Sequence, residues 1–315
     1  MTDGTEVISL RDLGGTDLCP LLAEETLAWR ELLDWDFTPS AELVIRFVNL
    51  RSLDGHALLV NGEIAGYAYY IVDEQKGLIG DLYVSRHHRS WQREDALLTA
   101  VIDSLVERER VRRIESQLMM LTAPLDRHLP YAHRAQVFHR TFMMRAASSA
   151  PRLARSPGAD RVLLEGWRDE RALEAAQIIS RAYRGHIDAL INDQYETPAG
   201  ARHFLENIIQ YPGCGQFRRD ASFLAFDRLH GLPVGVVLSG TVASDVGHIT
   251  QLCVTPEARG WGIGYELVRA ALLALEEAGC ERVSLTVTTS NRSAVSLYER
   301  MGFHSVRHFG AHVWG

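Results

Sequence analysis

One plan of secondary structure is written twice in this chain, and that repetition limits its folds more than any other feature. The stretch HALLVNGEIAGYAYY (56–70) holds two alternating apolar runs around Asn61-Gly62, a pair that tolerates positive φ and so marks a tight hairpin. ASFLAFDRLHGLPVGVVLSG (221–240) repeats the hairpin with a longer turn. Each hairpin leads to one more strand, GLIGDLYV or GHITQLCV, and an arginine stands five residues beyond its last valine: Arg89 after Val84, Arg259 after Val254. A helix-period stretch follows, DALLTAVIDSLVERE or YELVRAALLALEEAG, and then a β-type run, RRIESQLMML or ERVSLTVTT. Between the two copies RAASSAPRLARSPGADR lacks apolar periodicity and reads as a linker. A cut at 146–160 therefore gives domains at 1–145 and 161–315.

Hairpins feeding a central strand with a crossover helix imply an α/β fold: in each half a mixed, mostly antiparallel sheet with helices on both faces. A length of 315 residues suits two such domains. Each half opens on a helix, DLCPLLAEETLAWRELLDW with Asp17 as its cap and DERALEAAQIISRAYRG between Asp169 and Gly185. No apolar run approaches the roughly 18 residues of a membrane span. MTDGTEVISLRDL has no basic segment leading into an apolar one, so residence in the cytoplasm is expected. Cys19, Cys214, Cys253 and Cys280 are too scattered for a disulfide framework or a zinc site, and no metal is expected. A net charge of -7 argues against nucleic acid as a partner.

The most unusual local feature is EARGWGIGYE (257–266), where Gly260, Gly262 and Gly264 stand between a strand and a helix. Such a loop aims free backbone N–H groups and the positive end of a helix dipole at one point, which suits a phosphate. Glycine lets the backbone close round the oxygens, and Arg259 adds a cation at the rim. A Walker loop is excluded because Tyr265 and Glu266 follow Gly264 where Lys and Ser/Thr are needed. The dinucleotide fingerprint fails by one residue, since the spacing is G-x-G-x-G.

R-G-x-G-x-G after a strand ending in valine resembles the GNAT family of N-acetyltransferases. So does TTSNRSAVSLYERMGF (288–303), which fits that family's later signature N-x-x-A-x-x-x-Y-x-x-x-G-F. The likeness is dense from about residue 221 onward and only outline in the first half. The paired arrangement is similar to the tandem architecture of mycothiol synthases. The resemblance implies two tandem GNAT-like domains, with acetyl-CoA as cosubstrate. Its pyrophosphate would lie on Arg259, Gly260, Trp261, Gly262, Ile263 and Gly264, its pantetheine beside Asn291, and its carbonyl against backbone N–H groups of Leu252, Cys253 and Val254. Tyr298 would protonate the departing thiolate. The family often carries a carboxylate base where this chain has His248, an imidazole able to act through water; Asp245, His308 and His312 are alternatives.

For the acceptor, YRGHIDALINDQYETPAG (183–200) is polar and aromatic, and His186, Asp188, Asn192, Asp193 and Tyr195 suit a cationic amine. In the first half the equivalent loop is SRHHRSWQRED (85–95), where Ser90, Gln92 and Glu94 replace the glycines. That half is expected to lack the cofactor, although Arg86, His87, His88, Arg89 and Arg93 leave another anion open. The leading expectation is acetyl transfer from acetyl-CoA to a primary amine of a small molecule, by direct attack in a ternary complex, in a monomer or homodimer. The alternatives are an acyl-CoA sensor without turnover, an enzyme acting on a protein N-terminus or lysine, and transfer of a longer acyl group.

Overall fold

The computed structural model describes residues 4–315 apart from 109, 123–124, 126, 149–152 and 212. Part of the expected linker, 149–152, thus lies outside the described residues. The chain forms two compact units, Met1–Arg140 with His308–Gly315, and Thr141–Arg307. The last eight residues count with the first unit, where a cut at 146–160 leaves them with the second. Nothing in an alternating strand sequence names the edge it will join.

The first unit contains β1 (Thr5–Ser9), α1 (Gly15–Leu33), α2 (Thr38–Asn49), β2 (Asp54–Val60), β3 (Glu63–Asp73), β4 (Lys76–Val84), α3 (Trp91–Val106), β5 (Arg113–Leu118) and the start of β6 (Ala135–Ala146). The second holds the rest of β6, then β7 (Val162–Gly166), α4 (Ala172–Tyr183), α5 (Ile187–Ile191), α6 (Pro198–Gln210), β8 (Gln216–Phe217), β9 (Phe223–Asp227), β10 (Pro233–Ala243), β11 (Val246–Val254), α7 (Ile263–Glu277), β12 (Arg282–Thr288), α8 (Arg292–Arg300) and the start of β13 (His304–Trp314). The strand order is β1-β2-β3-β4-β5-β13 in the first unit and β6-β12-β11-β10-β9-β7 in the second. Most paired neighbours are antiparallel, and β4·β5 and β11·β12 are parallel.

The hairpin signal forms as the sequence demands, with Asn61 at φ 52° and Gly62 at φ 86°. Two expectations about helix starts change: α1 is capped at Gly14, with Asp17 reaching back to accept the Gly14 N–H at 2.8 Å, and α4 begins at Ala172, after a short turn at Asp169–Arg171. In the second unit Val236 and Leu238 of β10 bury against α4 and α6, while Val237 between them faces α7, so period-two alternation puts helices on both faces. On α7, Ile263, Leu267, Ala271 and Leu275 recur at helical spacing and supply the other half of that core.

Both units share two details that shape the site. Glycine lets a helix approach the central strand closely: a Cβ on Gly77 would lie 2.7 Å from Leu105, and one on Gly247 would lie 2.8 Å from Leu275. In addition, the parallel pairing stops early. β11 pairs with β12 only from Val246 to Ile249, and β4 with β5 only from Lys76 to Ile79, with a register break immediately after. Beyond those points the two parallel strands part, leaving a wedge at their C-terminal ends.

Candidate functional site

In the second unit the wedge between β11 and β12 is framed by the glycine loop and the start of α8. The N-cap of α7 is Gly262 at φ 80°, a left-handed position that suits glycine, and no side chain caps the helix. The N–H groups of Gly260 through Tyr265 meet no acceptor among the described residues. Together with the helix dipole they present positive potential at one place. Arg259 is not simply a rim cation. Its Nε donates to the Val254 carbonyl at 3.4 Å and its Nη2 to the Ala182 carbonyl at 2.7 Å, tying the loop to β11 and to the end of α4.

The first unit answers the same helix-start problem from within. Ser90 caps α3 by accepting the Arg93 N–H, and Glu94, 1% exposed, accepts hydrogen bonds from Thr122 N–H, the Thr122 hydroxyl and Arg127 Nη1. A carboxylate thus sits at the place in the repeat held by Gly264. The basic residues of this loop are engaged internally: Arg86 pairs with Glu31, Arg89 bonds the Val84 carbonyl, and Arg93 bonds that of His88.

At the far side of the wedge Asn291 caps α8, its Oδ1 accepting the Ala294 N–H at 3.3 Å, and its amide nitrogen lies 3.4 Å from His186 Nε2. His186 in turn caps α5, with Nδ1 accepting the Asp188 N–H at 3.2 Å. Thr288, the last residue of β12, donates its hydroxyl to the Asp188 carboxylate. Tyr195 stacks on Tyr183 with ring centres 4.6 Å apart, and Tyr183 donates to the Leu252 carbonyl at 3.3 Å. Burial holds the Tyr183 phenol well above its ordinary range, so it stays a proton donor. The structure therefore brings His186, Asp188, Tyr195 and Asn291 to the end of the wedge. Asn192 is turned to another task, accepting the Gln194 N–H as the cap of a short turn that includes Asp193.

The matches with known proteins follow the same outline. The Acetyltransferase (GNAT) family model matches residues 181–303, which span α7, α8 and the wedge. The likeness to that family lies in the second unit and takes in less than half of the chain. N-alpha-acetyltransferase MAK3 of Arabidopsis thaliana is 47% identical over 57 residues, 18% of this chain and 30% of that protein. A mycothiol acetyltransferase of Salinispora arenicola is 44% identical over 69 residues, 22% of each chain. The chain spans less than a third of the length of these curated relatives. Among solved structures, a GCN5-related N-acetyltransferase from Sphaerobacter thermophilus superposes with a TM-score of 0.70 at 18% identity, over 99% of this chain and 96% of that one. A tandem GNAT protein from the clavulanic acid biosynthesis pathway gives 0.59 at 16% identity over 98% of each. The fold is thus that of tandem GNAT domains.

Within the second unit, Tyr298 is 6% exposed and its ring meets Phe303 edge-on at 5.9 Å, inside the core under α7. His248, also 6% exposed, lies at the paired end of the wedge, with Nδ1 2.9 Å from Ser284 Oγ and its ring stacked on Phe142. Ser284 Oγ also donates to the Gly247 carbonyl at 3.2 Å. Burial lowers the His248 pKa from 6.5 to about 4, so the ring is neutral at pH 7. Of the alternative bases, Asp245 is paired with Arg282. His312 and His308 belong to the first unit, where His312 lies 3.2 Å from Ser116 Oγ. Among the described residues, no helix is long and apolar enough to cross a membrane.

Two residues of the second unit carry no clear signal in the sequence. Besides Tyr183, Gln251 lies buried on β11, with Oε1 3.5 Å from the Tyr195 hydroxyl and an Nε2 that meets no acceptor among the described residues. Its one trace there is a lone amide in the run ITQLCV, where buried polar groups are costly unless paired.

Proposed function

We propose that the second unit transfers an acetyl group from acetyl-CoA to a primary amine of a small molecule, by direct attack in a ternary complex. The observation that carries this reading is the contrast between the two helix starts: α3 is capped and filled by Ser90 and Glu94, whereas the loop into α7 and its first turn present six N–H groups, 260–265, that meet no acceptor among the described residues. Residues 260–265 fit a pyrophosphate, and acetyl-CoA, when bound, supplies an activated acetyl thioester. The same contrast supports a first unit without that cosubstrate.

The remaining roles follow from what each side chain is able to do. The strand edge from Leu252 to Val254 is free of β12, which favours it as the donor edge for the thioester carbonyl. Tyr298, in dry surroundings, is the acid for the thiolate, and Asn291 orients the start of α8 beside the pantetheine. His248 accepts the amine proton through ordered water, as a weak base given its low pKa. His186, Asp188 and Tyr195 receive the amine, and Asn192 and Asp193 shape the loop that holds them.

A thiol-release assay across a panel of amines tests the proposal, with turnover on at least one small amine as the expected result. Saturable acetyl-CoA binding without turnover on any amine would instead make this unit an acyl-CoA sensor. A second acceptor class has its own support in the likeness to N-alpha-acetyltransferase MAK3. Peptides with free N-termini therefore belong in the panel, and turnover on those alone would move the acceptor to a protein N-terminus.

A further inference from the structure

The segment between the two sequence halves does not run free past the glycine loop. Leu153 and Ala154 give their carbonyls to Arg269 Nε and the Tyr265 hydroxyl, both at 2.9 Å, and the Ser156 N–H donates to Glu266. Arg161 lies over the Trp261 ring, 5.6 Å from its centre. All these partners belong to the loop and the first two turns of α7.

The tightest contact is at Gly158. A Cβ there would lie 1.6 Å from the Trp261 oxygen and 2.8 Å from the Trp261 carbonyl carbon. The difference is close to the roughly 1.23 Å length of a C=O bond, so that bond points almost straight at Gly158. In a trans peptide the carbonyl and the following N–H point in opposite directions. The Gly262 N–H is therefore turned away from the segment. Gly262 is fitted to the same segment, since its own Cβ would lie 2.8 Å from Ser156 Oγ.

We infer that residues 153–158 are part of the donor site: by backing the Trp261–Gly262 peptide, Gly158 fixes the direction in which the loop's N–H groups face the pyrophosphate. Gly158 is a positioning residue, and the inference rests on the acetyl-CoA reading above. Its backbone, at φ −86° and ψ −5°, is one that alanine adopts without strain, so Gly158→Ala perturbs only the contact with Trp261.

The test is calorimetric titration of acetyl-CoA into the full chain, with steady-state kinetics on an amine that the wild type accepts. Gly158→Ala should raise Kd and KM for acetyl-CoA by about tenfold, the loss of one or two charge-assisted hydrogen bonds, while kcat at saturation stays within about twofold. Gly166→Ala, where a Cβ meets nothing within 4 Å, is the control and should match the wild type. Tyr265→Phe, which frees the Ala154 carbonyl and keeps Gly158, should weaken acetyl-CoA in the same direction by a smaller factor, and it serves if the alanine variant fails to fold. Unchanged acetyl-CoA affinity in the folded Gly158→Ala chain, or in Tyr265→Phe when that is the only folded variant, overturns the inference. A wild-type chain that does not bind acetyl-CoA overturns the reading beneath it instead.

Discussion

Arg259 holds the carbonyl of Val254 just as Arg89 holds that of Val84, with Nε–O distances of 3.4 and 3.2 Å. The members of the two pairs stand 170 positions apart, 254 less 84 and 259 less 89, and so do Gly77 with Gly247 and Leu105 with Leu275. Arginine is retained in the copy without a glycine loop, so its shared task is to latch the loop to the strand end.

A latch and a mere phosphate cation differ in what lysine can replace. Lysine keeps the charge but lacks the planar fork that reaches Val254 and Ala182 together. Arg259→Lys should therefore weaken acetyl-CoA nearly as much as Arg259→Ala, by about tenfold or more. Titration of both variants decides it, and full affinity in the lysine variant would leave only the charge as the arginine's contribution.

Tyr298→Phe removes one hydroxyl from a buried ring and leaves the glycine loop alone. The expected result is a fall in kcat of about tenfold or more with acetyl-CoA affinity nearly unchanged. Matching rates across pH for the two forms would take Tyr298 out of the acid role.

His248 and His312, one in each unit, have pKa values lowered by burial from 6.5 to about 4. Between those values the unfolded chain binds protons that the folded chain refuses, so stability falls as pH drops through the window and their contribution is complete above it. Glu25 and Asp81, buried together and raised in pKa, act in the opposite sense, losing stability as pH rises past the ordinary carboxylate range. Thermal unfolding of wild type and His248→Gln from pH 7 to 4.5 should show a shallower acid loss in the variant. The same shift sets the kinetic signature: with His248 as base, the acid limb of kcat/KM lies near pH 4, and a limb near 6.5 points to another group.

In the first unit, Glu94→Gln leaves Arg127, itself largely buried, with Asp95 at 3.0 Å as its one remaining counter-charge among the described residues. Breaking a buried pair from one side costs about 3 kcal/mol, so a clear fall in unfolding midpoint is expected by calorimetry. An unchanged midpoint would mean that Glu94 fills its place at no benefit to the fold.

Much of this was legible in the residues because it depends on local rules. Asn61-Gly62 can only turn one way, α7 carries a helical stripe, and glycines flanked by a strand and a helix leave few ligands to consider. What escaped depends on partners distant in sequence. A strand such as β13 does not record which unit its last residues join, and nothing beside Asn192 announces the short turn that it caps. Tyr183 reads as an ordinary core residue at the end of α4 until its hydroxyl is found on Leu252. The linker was the least legible part, because its composition announces solvent while Gly158 is fitted to a single carbonyl.

The two helix starts have a consequence for how each copy tolerates change. Electrostatic demand at the head of α3 is met by Ser90 and Glu94, which travel with the chain, so that copy is complete from the moment it is made. The head of α7 is complete only in company. A ligand that binds the folded form alone stabilises it in proportion to the logarithm of its concentration, so under the proposed function the second copy's durability would follow the supply of acetyl-CoA while the first stays indifferent.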